Sequence, residues 1–329
     1  MKILVTGGGG FLGRYIVSEL LKRGYDVRIF GRRPHADLEP LGVHVFRGDL
    51  EDPVAVNNAI FDRDAVFHVA AKAGIWGGWS SYFTPNVIGT RNVLKACKTH
   101  GIKYLIYTST PSVVFNGQHL RNVDETAPYG KNWLCHYAHT KAIAEQEVLA
   151  ANDHNTLFTT ALRPHLIWGK GDQHLIPRII KRAQAGKLKI VGDGKNFVDI
   201  THVKNAAHAH LLALDALVRG TASGKPYFIS QGQPVQLFPW INGLLERLKI
   251  SPISQTQRIS FNKAYHIGFM LESFHKLFLP KSEPLMTRFL ATELAKDHFF
   301  DIKNAQKDLD YQPIISVEEG LQELFEKQK

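Results

Sequence analysis

The chain has 329 residues, of which 40 are Lys or Arg, 30 are Asp or Glu and 2 are Cys. This length is enough to bury a large core, two cysteines exclude the disulfide framework of a small secreted domain, and 44% hydrophobic content argues against a disordered chain. The formal net charge of +10 is compatible with nucleic acid, an anionic membrane or an acidic ligand, and composition does not choose among them.

The N-terminal segment does not have the pattern of a signal peptide. Its apolar run stops at Val5, whereas a signal peptide needs about 7–15 apolar residues after its basic start. No segment approaches the roughly 18 uninterrupted apolar residues of a membrane-spanning helix. We therefore expect a cytoplasmic protein with reduced thiols.

Short β-rich segments alternate with segments of helical period along the first half of the chain. The predicted strands are 3–6, 26–30, 43–46, 65–69, 103–108 and 156–162. The predicted helices run from Phe11 to Gly24, from Pro53 (after the cap Asp52) to about residue 60, over 85–100 and over 137–151. Repeated strand–helix–strand units predict an α/β protein with a Rossmann-type, doubly wound parallel sheet.

The second half has a different pattern. It predicts a basic helix over 177–185, a helix from its N-cap Asn205 through residue 217, and a strand over 227–230. Asp193 and Gly194 separate the β-rich segments 188–191 and 197–200, which is typical of a hairpin. We predict a nucleotide-binding domain over 1–165, to which 201–232 returns. The remaining segments, 166–200 and 233–329, are predicted to form a smaller α+β substrate lobe.

A glycine-rich segment lies between the first strand and the first helix. Glycines there allow a tight turn, close approach of a pyrophosphate and close packing of helix on strand. The free N–H groups and positive dipole end of the helix then face the phosphates. The predicted cofactor contacts in this segment are Thr6, Gly7, Gly10, Phe11, Leu12 and Gly13.

The end of the second strand bears on which dinucleotide is bound. Sites for NAD usually have an acidic residue there, which binds the ribose 2′-hydroxyl. This chain has Arg32 and Arg33 instead, and the planar donors of arginine match the oxygens of a 2′-phosphate. We predict a preference for NADP(H) over NAD(H), with Arg32 as the better candidate. The alternative is that both arginines are solvated surface charge.

Tyr137 and Lys141 are spaced i, i+4, which places both on one face of a helix. A nearby ammonium favours the phenolate form of tyrosine, so such a pair can exchange a proton near neutral pH. The spacing occurs by chance in many helices. In this chain the spacing indicates a catalytic pair, because it follows a dinucleotide-binding pattern.

Several segments together resemble one known family. The segments 6–13, 49–50, 86–90, 107–110, 137–141, 162–164 and 191–194 are similar to those of the extended short-chain dehydrogenases/reductases, in particular the 3β-hydroxysteroid dehydrogenase family. The resemblance spans essentially the whole chain. Segments 71–77, 107–113 and 287–290 are most similar to bacterial 2-alkyl-3-oxoalkanoate reductases, and sterol-4α-carboxylate 3-dehydrogenases are related.

The resemblance implies a role for each matching residue. Tyr137 would be the acid/base, Lys141 would bind the nicotinamide ribose and lower the tyrosine pKa, and Thr110 would hydrogen-bond the substrate oxygen. Ser109 and Ser112 are near enough to take that last role. Further cofactor contacts are implied at Asp49, Leu50, His68, Ala70, Ala71, Asn86, Pro164 and Leu166.

The function that we expect is NADP(H)-dependent reduction of the 3-oxo group of a lipophilic substrate, foremost a 2-alkyl-3-oxoalkanoate. The alternatives are oxidation of a steroid or sterol 3β-alcohol and a catalytically silent NADP-sensing regulator. A nucleic-acid binder ranks last, since Lys and Arg are scattered along the chain. The resemblance also implies a homodimer formed by the helices over 85–100 and 137–151.

Some features leave two interpretations open. Trp76, Trp79, Trp133 and Trp168 either line an apolar substrate pocket or pack in the core. His202, His208 and His210 match no zinc pattern, so we predict no metal site. The aromatic segment 261–279 either covers the substrate pocket or lies on a membrane as a basic amphipathic helix.

Overall fold

The computed structural model describes residues 1–325. Apolar β-rich segments become strands, and the segment Ala65–His68 is buried along its whole length, as is expected inside a parallel sheet. The strands are β1 (Lys2–Thr6), β2 (Asp26–Gly31), β3 (His44–Arg47), β4 (Ala65–His68), β5 (Tyr104–Thr108), β6 (Leu120–Val123), β7 (Phe158–Pro164), β8 (Ile167–Trp168), β9 (Ile190–Val191), β10 (Phe197–Val198), β11 (Thr201–His202), β12 (Lys225–Ile229), β13 (Val235–Gln236), β14 (Arg258–Ile259) and β15 (His298–Phe300).

The helices follow the apolar stripes of the intervening segments. They are α1 (Phe11–Lys22), α2 (Pro53–Ile60), α3 (Trp79–Phe83), α4 (Gly89–Thr99), α5 (His136–Ala150), α6 (Leu175–Gln184), α7 (Val203–Arg219), α8 (Leu237–Arg247), α9 (Phe261–Phe278), α10 (Arg288–Ala295), α11 (Lys303–Leu309) and α12 (Val317–Phe325). Short 3₁₀ turns occupy Glu39–Leu41 and Pro111–Val114. The α2 start matches the prediction, since the Asp52 carboxylate accepts from the N–H groups of Val54 and Ala55.

Seven parallel strands form the main sheet, in the order β12-β7-β5-β4-β1-β2-β3. The strand order reverses direction between β1 and β4, where Ile3 pairs with Ala65 on one side and with Val27 on the other. Ligands of doubly wound sheets bind at the carboxyl ends of the strands beside such a switch point. The predicted Rossmann-type fold is confirmed.

The smaller lobe is built outside the main sheet and its flanking helices. Its sheet has the order β13-β10-β15-β6, and its core includes the side chains of Ile190, Phe238 and Trp240. Trp168 is fully buried in this core, with its ring centroid 5.6 Å from that of Trp240. Of the two interpretations for this tryptophan, core packing is therefore correct.

The predicted hairpin at Asp193 and Gly194 is wrong. A two-residue type I′ turn needs positive φ at both central residues, and here the positive values fall on Gly192 (76°) and Gly194 (72°) and not on Asp193. Both segments pair instead with strands that lie later in the chain. β9 pairs in parallel with β14, and β10 pairs with β13 and β15.

Two predicted helix starts also differ from the structure. His202, and not Asn205, caps α7, since its Nδ1 accepts from the Lys204 N–H at 3.4 Å. Asn205 is buried and holds the C-terminal segment instead, because its Oδ1 accepts from the N–H groups of Ile314 and Ile315 at 2.8 and 3.0 Å.

The helix expected to begin at Pro85 begins six residues earlier, at Trp79. Pro85 lies inside a π-helical segment, Thr84–Ile88, that connects α3 to α4. A proline in a helix removes one backbone donor, and a π-bulge accommodates such a defect. α4 and α5 lie side by side, joined by the exposed Arg91–Glu147 ion pair, and the homodimer expected at these helices stays a prediction.

Candidate active site

The glycine-rich turn between β1 and α1 has no room for side chains. Gly7 has φ of +69°, and a Cβ there would lie 2.9 Å from the Ala70 Cα. A Cβ on Gly13 would lie 2.2 Å from the Gly7 carbonyl oxygen. Gly10, the N-cap of α1, has no side chain that could occupy the free N–H groups of the first helical turn. The turn therefore fits the pyrophosphate of a dinucleotide, with Phe11, Leu12 and Gly13 in the first turn of α1.

A buried hydrogen-bond chain fixes the start of this turn. The Thr90 hydroxyl donates to the Asn86 carbonyl (2.6 Å), so it accepts from His68 Nε2 at 3.0 Å. His68 Nδ1 is left to accept from the Thr6 hydroxyl at 2.7 Å, and Thr6 Oγ1 also accepts from the Ala70 N–H. Burial lowers the pKa of His68 to about 3, helped by the charge of Lys141. His68 is thus a neutral ring that positions Thr6 and, through it, Ala70.

Asn86 joins the segment after β4 to α5. Its Oδ1 accepts from the Lys72 N–H at 2.7 Å, and its Nδ2 donates to the Lys72 carbonyl and to Thr140 Oγ1, both at 3.1 Å. Thr140 precedes Lys141. Asn86 therefore links the wall of the cofactor cleft to the helix that bears Tyr137 and Lys141.

The other predicted cofactor residues lie at the same edge of the sheet. Asp49 and Leu50 follow β3, and Leu50 packs against Gly89, where a Cβ would lie 2.7 Å from the Leu50 Cβ. Ala71 is exposed beyond β4. Pro164 ends β7. Leu166 has φ of +41°, a conformation that is strained for a branched residue and that is commonest at functional sites.

Arg32 and Arg33 are exposed just after β2, and neither forms an ion pair within residues 1–325. Two residues near the glycine turn, Arg14 and His35, were not predicted as part of the site. Arg14 Nε donates to the Gly9 carbonyl at 3.1 Å and its guanidinium pairs with Asp37, and the His35 ring covers Gly9. The position of Arg14, directly after the glycine pattern, was the available sequence signal.

Tyr137 lies in the first turn of α5, half-buried. Burial raises its pKa to about 12, and the nearby Thr110 side chain opposes that shift. Thr110 Oγ1 also accepts from the Ser112 N–H at 3.3 Å. The Ser109 hydroxyl is buried without a hydrogen-bond partner among the described residues. Of these hydroxyl groups, Thr110 is the one that affects the pKa of the phenol, and its role at the substrate oxygen stays a prediction.

Lys141 is fully buried one helical turn further along α5. Its Nζ donates to the Thr108 carbonyl at 2.6 Å and lies 4.0 Å from the centroid of the Tyr107 ring. Burial lowers the pKa of Lys141 to about 7, and the charge of Glu145 opposes this shift. Burial raises the pKa of the Tyr137 phenol, and the Lys141 ammonium is directed to the Thr108 carbonyl. That Lys141 lowers the pKa of the tyrosine stays a prediction.

His210 of α7 fixes the side chain of Thr108 by a hydrogen bond. Its Nδ1–H donates to the Ala206 carbonyl at 2.7 Å, which leaves Nε2 to accept from the Thr108 hydroxyl at 2.7 Å. The ring is fully buried, and burial lowers its pKa to about 4. His210 is a positioning residue for the strand end that binds Lys141, a role that its place in the sequence did not indicate.

A different trio, His165, Glu293 and His298, has possible metal-ligand atoms within 4.8 Å of one another. His165 Nε2 and His298 Nδ1 are 2.6 Å apart, and His298 Nε2 lies 2.8 Å from the Glu293 carbonyl oxygen. Two nitrogens on one zinc ion at about 2.1 Å would be farther apart than a hydrogen bond. Hydrogen bonds, without a metal ion, explain why His165 and His298 lie close to each other and to the Glu293 backbone.

A buried ion pair anchors α5 to the sheet. Arg163 on β7 donates to Glu145 on α5 through Nη2 at 2.5 Å and Nε at 3.1 Å, and both side chains are almost completely buried. The Tyr129 hydroxyl donates to the same carboxylate at 2.7 Å. Since Glu145 lies one turn beyond Lys141, this pair fixes the position of the lysine relative to the sheet.

Comparisons with known proteins agree with this geometry. Residues 4–261 match the model of the 3-beta hydroxysteroid dehydrogenase/isomerase family. The chain is 50% identical to a 2-alkyl-3-oxoalkanoate reductase of Stenotrophomonas maltophilia, over 98% of each chain. It is 32% identical to the sterol-4-alpha-carboxylate 3-dehydrogenase of Mus musculus, over 98% of this chain and 89% of that one.

Solved structures give the same fold. A UDP-glucose 4-epimerase of Thermus thermophilus in complex with NAD superposes with a TM-score of 0.74 at 23% identity, covering 98% of this chain and 97% of that one. The glycine turn, the carboxyl edge of the sheet and the Tyr137–Lys141 helix are the parts expected of such a dinucleotide enzyme. The chain belongs to the 3-beta hydroxysteroid dehydrogenase/isomerase family and is a nicotinamide-dinucleotide-dependent oxidoreductase of the short-chain dehydrogenase/reductase superfamily.

Proposed function

We propose that this enzyme reduces the 3-oxo group of 2-alkyl-3-oxoalkanoates with NADPH. The observation that carries the proposal is the 50% identity, over nearly the full length, to a protein of that name. The placement of Tyr137, Thr110 and Lys141 beside the glycine turn supports it. When bound, the nicotinamide supplies the hydride that reduces the carbonyl carbon.

The protein's own residues supply the proton and the orientation. Tyr137 has a pKa of about 12, so it is protonated at neutral pH and can donate to the alkoxide that develops on the substrate oxygen. Thr110, whose side chain lies near the phenol, can hold the same oxygen. A protonated phenol is the form needed for reduction, and oxidation would need the phenolate.

Aromatic side chains next to the catalytic helix support a lipophilic substrate. Trp79 and Trp133 both pack against His139 of α5, with ring centroids 4.9 and 5.2 Å from that of the histidine. Trp76 remains half-buried in the segment after β4. Such partly exposed aromatic surface near a proton donor provides an apolar wall for alkyl chains.

A panel of substrates tests the proposed function. We expect NADPH oxidation with 2-alkyl-3-oxo acids, and NADP⁺ reduction with the corresponding 3-hydroxy acids. Turnover of 3-hydroxysteroids alone would favour the sterol alternative, which the 32% identity to a sterol dehydrogenase supports. Binding of NADP(H) without turnover of either class would favour the regulatory alternative.

Replacement of Arg32 tests the cofactor preference. Arg32→Ala removes a bidentate phosphate donor, and hydrogen bonds to charged groups are worth about 1.5–3 kcal/mol. We therefore expect KM for NADPH to rise about 10- to 100-fold, with KM for NADH nearly unchanged. Arg219→Ala, which removes an exposed arginine at the C-terminal end of α7 that pairs with Asp310, is the control. Equal losses for both cofactors in Arg32→Ala would contradict the assignment.

A further inference from the structure

The proposed substrate carries a negative charge close to the reacting atoms. In a 2-alkyl-3-oxoalkanoate the carboxylate carbon is two bonds from the oxo carbon, so both groups enter the same part of the cleft. A carboxylate that leaves water for an apolar cleft is strongly disfavoured unless a cation or hydrogen-bond donors meet it. The cleft therefore needs a cation near the proton donor. This requirement rests on the proposed function, because a neutral substrate would not impose it.

Lys72 lies in the segment after β4, at the carboxyl edge of the main sheet. The buried side chain of Asn86 holds its backbone, since Oδ1 accepts from the Lys72 N–H at 2.7 Å and Nδ2 donates to the Lys72 carbonyl at 3.1 Å. The same Nδ2 donates to Thr140 Oγ1 on α5 at 3.1 Å. The backbone of Lys72 is therefore fixed relative to the helix that bears Tyr137, while its side chain is exposed.

The ring of Tyr82 gives the Lys72 ammonium a defined place. Lys72 Nζ lies 4.8 Å from the centroid of that ring, and a Cβ on Gly77 would lie 3.9 Å from Nζ. Gly74 and Gly77 have φ of +132° and +140°, and a Cβ on Gly74 would lie 2.9 Å from Tyr82 Oη. The Tyr82 hydroxyl donates to the Trp76 carbonyl at 2.8 Å. The segment thus folds over Tyr82 and keeps the ammonium beside it.

Tyr82 also connects this ammonium to the catalytic helix. It belongs to α3, which packs against α5, and the ring centroid of Trp79 on α3 lies 5.5 Å from that of His136, the first residue of α5. Tyr82 is close enough to Tyr137 for its ionisation to raise the pKa of Tyr137. The Lys72 ammonium therefore lies beside the part of α3 that adjoins the proton donor.

The charge of Lys72 is not matched by a carboxylate. Lys72 forms no ion pair among residues 1–325, whereas Arg178 and Glu283, whose charges act on the pKa of Tyr82, pair with each other. The Tyr82 ring attracts the ammonium through its π face and does not neutralise it. Of Lys72 and Arg178, Lys72 is the cation that remains available for an anionic substrate.

We propose that Lys72 binds the carboxylate of the substrate and makes the enzyme selective for 3-oxo and 3-hydroxy acids over their neutral esters. The ammonium is a compact charge on a flexible four-carbon stem, so it can move from the Tyr82 ring to a carboxylate that enters the cleft. An ion pair in a cleft that excludes water is stronger than the same pair in bulk water. Lys72 is a specificity-determining residue, and the proton transfer belongs to Tyr137.

A 2-alkyl-3-hydroxy acid and its methyl ester, compared in two variants, test this inference. The assay is NADP⁺-dependent oxidation, because a 3-hydroxy acid is not lost by decarboxylation before it reacts. Lys72→Met keeps an apolar stem on the Tyr82 ring and removes the charge. We expect its kcat/KM for the acid to fall about 10- to 100-fold, mainly through KM, as is typical of a lost hydrogen bond to a charged group. Its kcat/KM for the ester should change little, and Lys72→Arg should restore most of the preference for the acid.

Two controls separate this role from others. Lys307→Met removes an exposed lysine in the last turn of α11 and should leave both substrates unaffected. The Kd for NADPH, measured by fluorescence titration, should be the same in Lys72→Met as in the wild-type protein. Equal losses for acid and ester, or weaker NADPH binding that accounts for the loss, would overturn the proposal.

The wild-type enzyme separates this inference from the proposed function. If it oxidises the acid and Lys72→Met keeps the full preference for acid over ester, only the role of Lys72 is wrong. If the wild-type enzyme oxidises neither compound, the proposed function and the role of Lys72 are both wrong.

Discussion

Tyr137→Phe is expected to lower kcat for carbonyl reduction by about 10²–10⁴-fold, the usual contribution of a positioned proton donor. The variant retains the ring and loses only the hydroxyl, so the packing at the start of α5 is preserved. KM for NADPH should change little, because the glycine turn and Lys141 are untouched. Steady-state kinetics with a saturating 3-oxo substrate measure both quantities.

Tyr104→Phe is the matched control, since Tyr104 begins β5 at the opposite end of that strand from the catalytic edge. Full turnover in Tyr137→Phe would contradict the proposed proton donor. The pH dependence provides a second check. Because the pKa of Tyr137 is about 12, the phenolate fraction rises about tenfold per pH unit below that value. Alcohol oxidation by the wild-type enzyme should therefore accelerate from pH 7 to 9, while reduction needs no such deprotonation.

Glu145→Gln is expected to destabilise the protein by about 3–5 kcal/mol, the largest stability effect among these predictions. The substitution leaves the guanidinium of Arg163 buried without its counter-charge, and removing one partner of a buried pair typically costs that much. Arg163 is 1% exposed and Glu145 is completely buried, so water cannot replace the lost carboxylate. Chemical denaturation followed by circular dichroism measures the change.

The same helix supplies the control. Glu147 pairs with Arg91 at 2.6 Å, but that pair is exposed, and surface ion pairs contribute about 0–1 kcal/mol. Glu147→Gln should therefore have a small effect. A double variant, Glu145→Gln with Arg163→Met, should recover part of the loss, because it removes the buried charge as well. Equal effects at Glu145 and Glu147 would show that burial does not determine the strength of the α5 anchor.

Short-range patterns identified the nucleotide-binding half of the fold and supplied the candidate residues of its site. The glycine turn, the arginines after β2 and the i, i+4 spacing of Tyr137 and Lys141 each involve residues a few positions apart. Their chemistry depends on local conformation, such as the positive φ of Gly7 or one helical turn, and local conformation is encoded locally. The parallel sheet followed because each strand–helix–strand unit has a strongly preferred handedness.

The contacts that position these groups depend on residues far apart in the chain. His210 meets Thr108 across 102 residues, and Arg163 meets Glu145 from a different element. The hairpin prediction at Asp193 failed for the same reason, since β14 was the better partner for β9. Likewise, the periodicity of α9 does not reveal which face is covered. Hydrogen-bond partners, burial and the pKa values that follow from burial depend on packing between distant segments, and only the folded chain determines that packing.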